Sequence, residues 1–352
     1  MPSFNEKSAV LFLLLVVMFV IGCSGAPTQP QEEGVYYWPL PPDPPKIAYV
    51  RSFQGESDYQ KGDFFRELLG YEPEEAKNLI KPYGVYANSG KVYVTDSIAG
   101  VTFILNTIER KVNAFGDTVM PIGVTGTRDG IIFVSDTKLK KVIRYDVKMG
   151  TKMVIGKQDE FKNPGGLAVN DELGRLYIAD GHGHNVHVYS TKGDPLFVFG
   201  NRGAEDGQFN FPINIAIDKR NGNLYVVDSQ NFRVQVLDKD GKFIRKFGEV
   251  GANAGNFARP KGIGIDTEGN VYVVDGAFEN FQVFNEKGEL LIAVGSAGTG
   301  PGNFYLPAGM YVDENDTIYV VDSANRRVQV FQYLSEKWKK ANPEEYKKYL
   351  PK

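Results

Sequence analysis

The sequence predicts an all-β fold, a six-bladed β-propeller of four-stranded antiparallel blades, and three observations carry that prediction. First, a Pro-x-Gly turn signal recurs at Pro82-Tyr83-Gly84, Pro121-Ile122-Gly123, Pro164-Gly165-Gly166, Pro260-Lys261-Gly262 and Pro307-Ala308-Gly309, with Pro212-Ile213-Asn214 as a variant. The prolines are 39, 43, 48, 48 and 47 residues apart, and a fixed period of this size marks a repeat architecture. Second, each signal is followed by a short β-branched and aromatic strand that ends in Asp: Asp96, Asp136, Asp180, Asp228, Asp275 and Asp322. A third strand follows, as in Arg233-Val234-Gln235-Val236-Leu237, and a fourth closes the unit, as in residues 242–248. Third, composition agrees, because 19 Tyr, 23 Phe and 39 Gly suit many short strands joined by tight turns. A lone four-stranded sheet cannot bury both faces; radial stacking of six buries each against its neighbours.

Along the chain, residues 9–21 come first, an unbroken apolar run of 13. A membrane-crossing helix needs about 20 residues, so the run reads as the centre of a secretory signal over 1–22. It ends in Val20-Ile21-Gly22-Cys23, which resembles a bacterial lipobox. That resemblance implies lipidation of Cys23, the single cysteine of the chain, and Ser24 after it resembles an outer-membrane sorting pattern. One cysteine also excludes an internal disulfide, a zinc-thiolate cluster and covalent haem attachment. Residues 23–45 are rich in proline and read as a semi-rigid tether. Its aromatics Tyr36, Tyr37 and Trp38 are expected to pack on the folded domain.

The propeller is expected over 46–333. The sixth repeat stops after its third strand, and residues 46–53 resemble a fourth strand such as 242–247. They are therefore expected to complete blade six and close the ring, which removes its open edges. Within a helical insertion at 56–81, Asp63 caps one short helix, Gly70 ends it and Pro73 opens a second. Residues 334–352 read as a helical tail in which Leu334, Trp338 and Ala341 share a face. Asn342-Pro343-Glu344-Glu345 restarts it with an N-cap, Pro at N1 and Glu at N3.

The Pro-x-Gly-(Val/Ile) start, the Tyr-Val-x-Asp strand and the Asn-x-Arg-Val-Gln-Val segment together resemble NHL repeats, over residues 81–333 plus the closing strand. The family implies a six-bladed propeller whose usual task is binding. Some related propellers are lyases or lactonases with a metal in the central channel, which makes a metal-dependent enzyme the alternative expectation.

Chain direction assigns the faces. If the Pro-x-Gly end is called the top, the turns after the six Asp residues lie there, as do the connectors Gly-x-x-Gly-x-x-x-Gly-x-Phe-x-x-Pro at 200–212, 248–260 and 295–307. Tether and tail attach at the bottom. The bottom is then expected to face the membrane and the top to be presented outward.

All three histidines cluster at His182, His184 and His187. Clustered imidazoles suggest a metal, yet one hairpin rarely supplies a complete site, because ligands normally converge from several elements. His182 and His184 in the top turn of blade three, and Asn214 at a top corner of blade four, are the candidate binding residues. Asn214 is also explained as the best non-glycine residue where φ is positive. The six Asp residues are expected to accept backbone N–H bonds or to pair with Arg233 and Arg327, and Phe209, Phe257 and Phe304 to act as wedges between blades. The Gly-rich connectors do not feed a phosphate-binding helix. Net charge is −3, which argues against a nucleic-acid surface. The sequence thus points to a lipid-anchored, non-enzymatic binding protein of the bacterial envelope, at the outer membrane and facing periplasm or cell surface. Its expected partner is a protein, peptide or glycan, with multihaem cytochromes as one idea, and no cofactor is implied.

Overall fold

Six sheets of alternating antiparallel strands are arranged in chain order, each contributing its first strand to the axis. The computed structural model describes residues 34–59 and 77–350. The signal segment and Cys23 lie outside the described residues. So do 60–76, which hold most of the expected helical insertion. The inner strands are Pro82–Asn88, Pro121–Gly126, Pro164–Asn170, Pro212–Ile217, Pro260–Ile265 and Pro307–Val312. Neighbouring inner strands contact one another all the way round, sixth to first included. The core is a series of apolar seams between blades. In the seam between blades three and four, Tyr177, Val188, Phe209 and Val226 meet, all fully buried.

Ile47–Phe53 pairs with Arg327–Tyr333, from Ile47 opposite Tyr333 to Phe53 opposite Val328, so the segment just after the tether closes the ring. Sequence reasoning missed a fifth strand on this blade. Tyr37–Trp38 pairs antiparallel with Ala48 and Ile47, so the chain arrives along the outer flank of blade six and turns at the bottom. Apolar burial holds it there. Trp38 packs on Phe331 with centroids 5.8 Å apart, and Tyr36 meets Tyr49 at 6.1 Å.

Two local expectations differ from the structure. Residues 77–81, expected to end a helix, are extended: the Leu79 N–H donates to the Gln54 carbonyl, and Asn78 bridges Gly55. These backbone bonds splice the segment beside the closing strand and leave it no helical partners. In the tail, Ser335 caps the helix Glu336–Ala341, accepting from the Trp338 N–H at 3.1 Å. The chain restarts as expected at Pro343–Tyr346 with Asn342 at the N-cap position and Pro at N1, but the Asn342 side chain makes no cap bond. The Asn342 amide instead donates to the Trp338 carbonyl at the end of the first helix. Leu334 is buried, Trp338 half-buried and Ala341 exposed. The tail meets the arriving chain, with Tyr349 against Tyr37 at 6.5 Å.

Candidate functional site

The top face is built on the six buried aspartates. Each accepts backbone N–H bonds from the connector entering its own blade: Asp96 from Ile80 and Lys81, Asp136 from Val119 and Met120, Asp180 from Lys162 and Asn163. In blades one and two the other oxygen takes two N–H groups of the turn after the second strand. An ionised carboxylate is the strongest acceptor available for such donors, so each Asp fixes two top loops at once. The aspartates are therefore spent on the scaffold.

Blades four and six add a second device. Asp228 Oδ2 accepts from Arg233 Nε at 2.8 Å, Asn231 Nδ2 at 2.8 Å and Gln235 Nε2 at 3.2 Å. Arg233 Nη2 then reaches the carbonyls of Glu205 and Gln208 in the long connector. Asp322, Arg327, Asn325 and Gln329 repeat the arrangement around the carbonyls of Gly300 and Asn303. In the long connectors entering blades four, five and six, Phe209, Phe257 and Phe304 are fully buried, in the seams where wedges were expected. Gly200, at φ +85°, has no room for a side chain because the Phe209 ring lies 2.5 Å from where its Cβ would be.

The three histidines are neighbours in sequence and are divided in space. The His182 ring packs on Phe211 of blade four at 5.1 Å, and His184 Nδ1 accepts from the Phe211 N–H at 3.2 Å. His184 has φ 54°, and the corresponding corner in other blades is held at positive φ by Lys140, Phe232, Glu279 and Arg326. His187 faces the opposite seam, against Phe161 at 5.0 Å. It is buried between Glu160 and Asp180, each 3.9 Å away, and its Nδ1 has no hydrogen-bond partner among the described residues. Burial holds its pKa below the ordinary imidazole value, against the pull of the two carboxylates. His182 and His184 sit in the turn before the strand Asn185–Ser190 and meet blade four, whereas His187 lies in that strand and meets the seam toward blade two.

The axial channel is a cavity of about 290 Å³, lined by residues of all six inner strands. The Pro-x-Gly glycines set its shape by close approach and not by φ, which corrects the conformational explanation of Asn214. A Cβ at Gly84 would stand 2.2 Å from the Ile122 carbonyl oxygen, and one at Gly123 2.2 Å from that of Gly165. None of these glycines has positive φ. Asn214 lines the channel beside Gly166, and its Oδ1 accepts from the Ile215 N–H at 2.9 Å. Sequence reasoning did not single out the channel lysines. Lys261, at the x position of blade five, lies 5.8 Å from the Tyr83 ring centroid; Lys219, at the bottom, lies 5.9 Å from that of Tyr311. Burial lowers the pKa of both. The available signal was the x position itself, which the topology turns toward the lumen.

Residues 161–189 match the NHL repeat model, and residues 220–281 and 267–341 match a family described as a 6-bladed beta-propeller. No curated protein matches the chain. Among solved structures, it is similar to a structural genomics protein of unknown function from Bacteroides thetaiotaomicron, with a TM-score of 0.63 at 14% identity over 82% of this chain and 75% of that one. It is also similar to an auxiliary nutrient binding protein from the same organism, with a TM-score of 0.56 at 14% identity over 73% and 69%. Virginiamycin B lyase from Staphylococcus aureus gives 0.53 at 16% identity over 72% and 94%. At these identities the likeness is one of fold.

Proposed function

We propose that this chain, a six-bladed β-propeller of NHL-type repeats, is a non-enzymatic binding scaffold that presents its top face to a partner in the bacterial envelope. The observation that carries this reading is the apolar rim of the top face across blades six, one and two. Tyr305 and Leu306, Ile80 and Ile98, and Val119, Met120 and Leu139 are all exposed there, with Ile98 at 63%, Val119 at 52% and Tyr305 at 50%. Adjacent exposed apolar side chains mark an interaction surface, whereas single ones are ordinary. The loops that bear them are fixed by the Asp bonds described above, so little ordering entropy opposes association. Such a surface favours a polypeptide partner over a glycan.

The anchor is proposed to be a lipid at Cys23, with the tether reaching the outer flank of blade six. Among the described residues no helix is long and apolar enough to cross a membrane. The metal-dependent lyase or lactonase reading gains no support from the histidines, which face two different seams.

Site-specific photocrosslinkers in intact envelopes test the proposal. A crosslinker at Val119 or Tyr305 is expected to give a discrete adduct. One at Met149, an exposed residue on a bottom loop, is expected to give none. Adducts from Met149 alone would reverse the assignment of the faces.

A further inference from the structure

The top mouth of the channel gathers positive charge that the protein leaves without a counter-ion. Lys261 leaves the inner strand of blade five at the mouth, its stem passing over Gly276, where a Cβ would meet Lys261 Cε at 3.0 Å. Its ammonium reaches past blade six to the Tyr83 ring of blade one. Arg259 and Lys81 add charge of the same sign. Among the described residues none of these three cations makes an ion pair with a carboxylate. Asp275, the acid that acts on Lys261, is occupied by the N–H groups of Ala258, Arg259, Ala277 and Phe278. A channel with low-dielectric walls concentrates such a field.

The neutral lining points the same way. Asn214 lines the same cavity, and with its Oδ1 engaged by the Ile215 N–H its Nδ2 remains a free donor among the described residues. The bottom mouth is different. There Lys219 lies in the field of Glu314, Asp313 and Asp171 as well as Arg128, so the charge is mixed.

We propose that the top mouth of the axial channel is an oxyanion-binding site, with Lys261 as the charged partner held over Tyr83 and Asn214 as a neutral donor. Its ligand is a carboxylate or a phosphate group of a small molecule narrow enough for the channel. A charge-assisted contact to a desolvated ammonium is stronger than one at an exposed lysine, and this sets the site apart from the lysines on the rest of the surface. The proposal does not require a macromolecular partner on the apolar rim.

Calorimetric titration of the full chain at low ionic strength and neutral pH, with inorganic phosphate in one arm and succinate in the other, tests it. One saturable site is expected in at least one arm, and the responding arm identifies the anion. Lys261→Met is expected to weaken that affinity at least tenfold, while Lys219→Met, at the other end of the same channel, leaves it unchanged. On the unsubstituted protein, the same anion is expected to slow acylation of Lys261 by an N-hydroxysuccinimide ester, a readout that does not depend on a variant folding. Absence of saturation in both arms, wild-type affinity in Lys261→Met, or unprotected Lys261 at saturating anion would each overturn the proposal.

Discussion

Blades four and six hold their connectors with a buried Asp–Arg–Gln lock, whereas blade three keeps the Asp and loses the rest. Asn185 stands where Arg233 and Arg327 stand, and His187 where Gln235 and Gln329 stand. In the locked blades one carboxylate oxygen accepts from arginine, asparagine and glutamine, and the guanidinium carries the load on to two connector carbonyls. In blade three Asp180 takes only backbone donors, from Lys162, Asn163 and Gly183. Two buried atoms there, Asn185 Oδ1 and His187 Nδ1, have no partner among the described residues. The fold needs only the Asp, since all six blades form the same sheet. Blade five, with an equally long connector, keeps the Gln (Gln282) but has Asn280 at the Arg position, so the full lock is an addition of blades four and six.

This contrast can be broken from its strong side. Asp322→Ala leaves Arg327 buried and unpaired, and removal of one partner from a buried pair costs about 3–5 kcal/mol. Asp180→Ala strands backbone donors but no cation, so its cost should be smaller, about 1–3 kcal/mol. Chemical denaturation of the two variants side by side checks the order, and equal losses would show that the lock adds nothing.

The weak side can be sharpened by His187→Gln, which puts the residue of blades four to six into blade three. A glutamine amide can donate to Asp180, and the unpartnered imidazole nitrogen disappears. A gain of about 1 kcal/mol is expected, read as a higher denaturation midpoint. The smallest effect concerns pH. Burial depresses the pKa of His187, so the unfolded chain binds the proton more readily than the folded one. Its contribution is intact above the ordinary imidazole value of 6.5 and is lost as pH falls below it. Stability measured from pH 7.5 to 5.5 should fall less steeply in His187→Gln than in the unsubstituted protein, and parallel curves would remove His187 from the account.

Much of this was legible from single residues. The repeated proline, glycine and aspartate fixed the number of blades, the strand order and the seam at 46–53, because each reports a local backbone requirement that recurs with the repeat. The pairing of Asp with Arg233 and Arg327 was legible for the same reason, five residues apart across one turn. The division of the histidines was not, since it depends on which neighbouring blade the turn before the strand meets and which seam the strand itself faces. Nor was the strand at Tyr37–Trp38, where two residues and a proline-rich context give no periodicity to read.

The glycine of Pro-x-Gly shows where the boundary falls. The sequence alone determined that something at that position forbids a side chain in five of six blades. Only the closed ring decided what: at Gly84 and Gly123 the carbonyl of the adjacent inner strand occupies the space, an atom about 40 residues away in the chain, and at Gly309 it is the carbonyl of Tyr83 from the first blade. The channel lysines belong to the same class. Lys261 is one of many lysines until six strands converge on an axis, remove water from its stem and bring Tyr83 beneath its charge, because desolvation and proximity across blades are properties of the assembled ring.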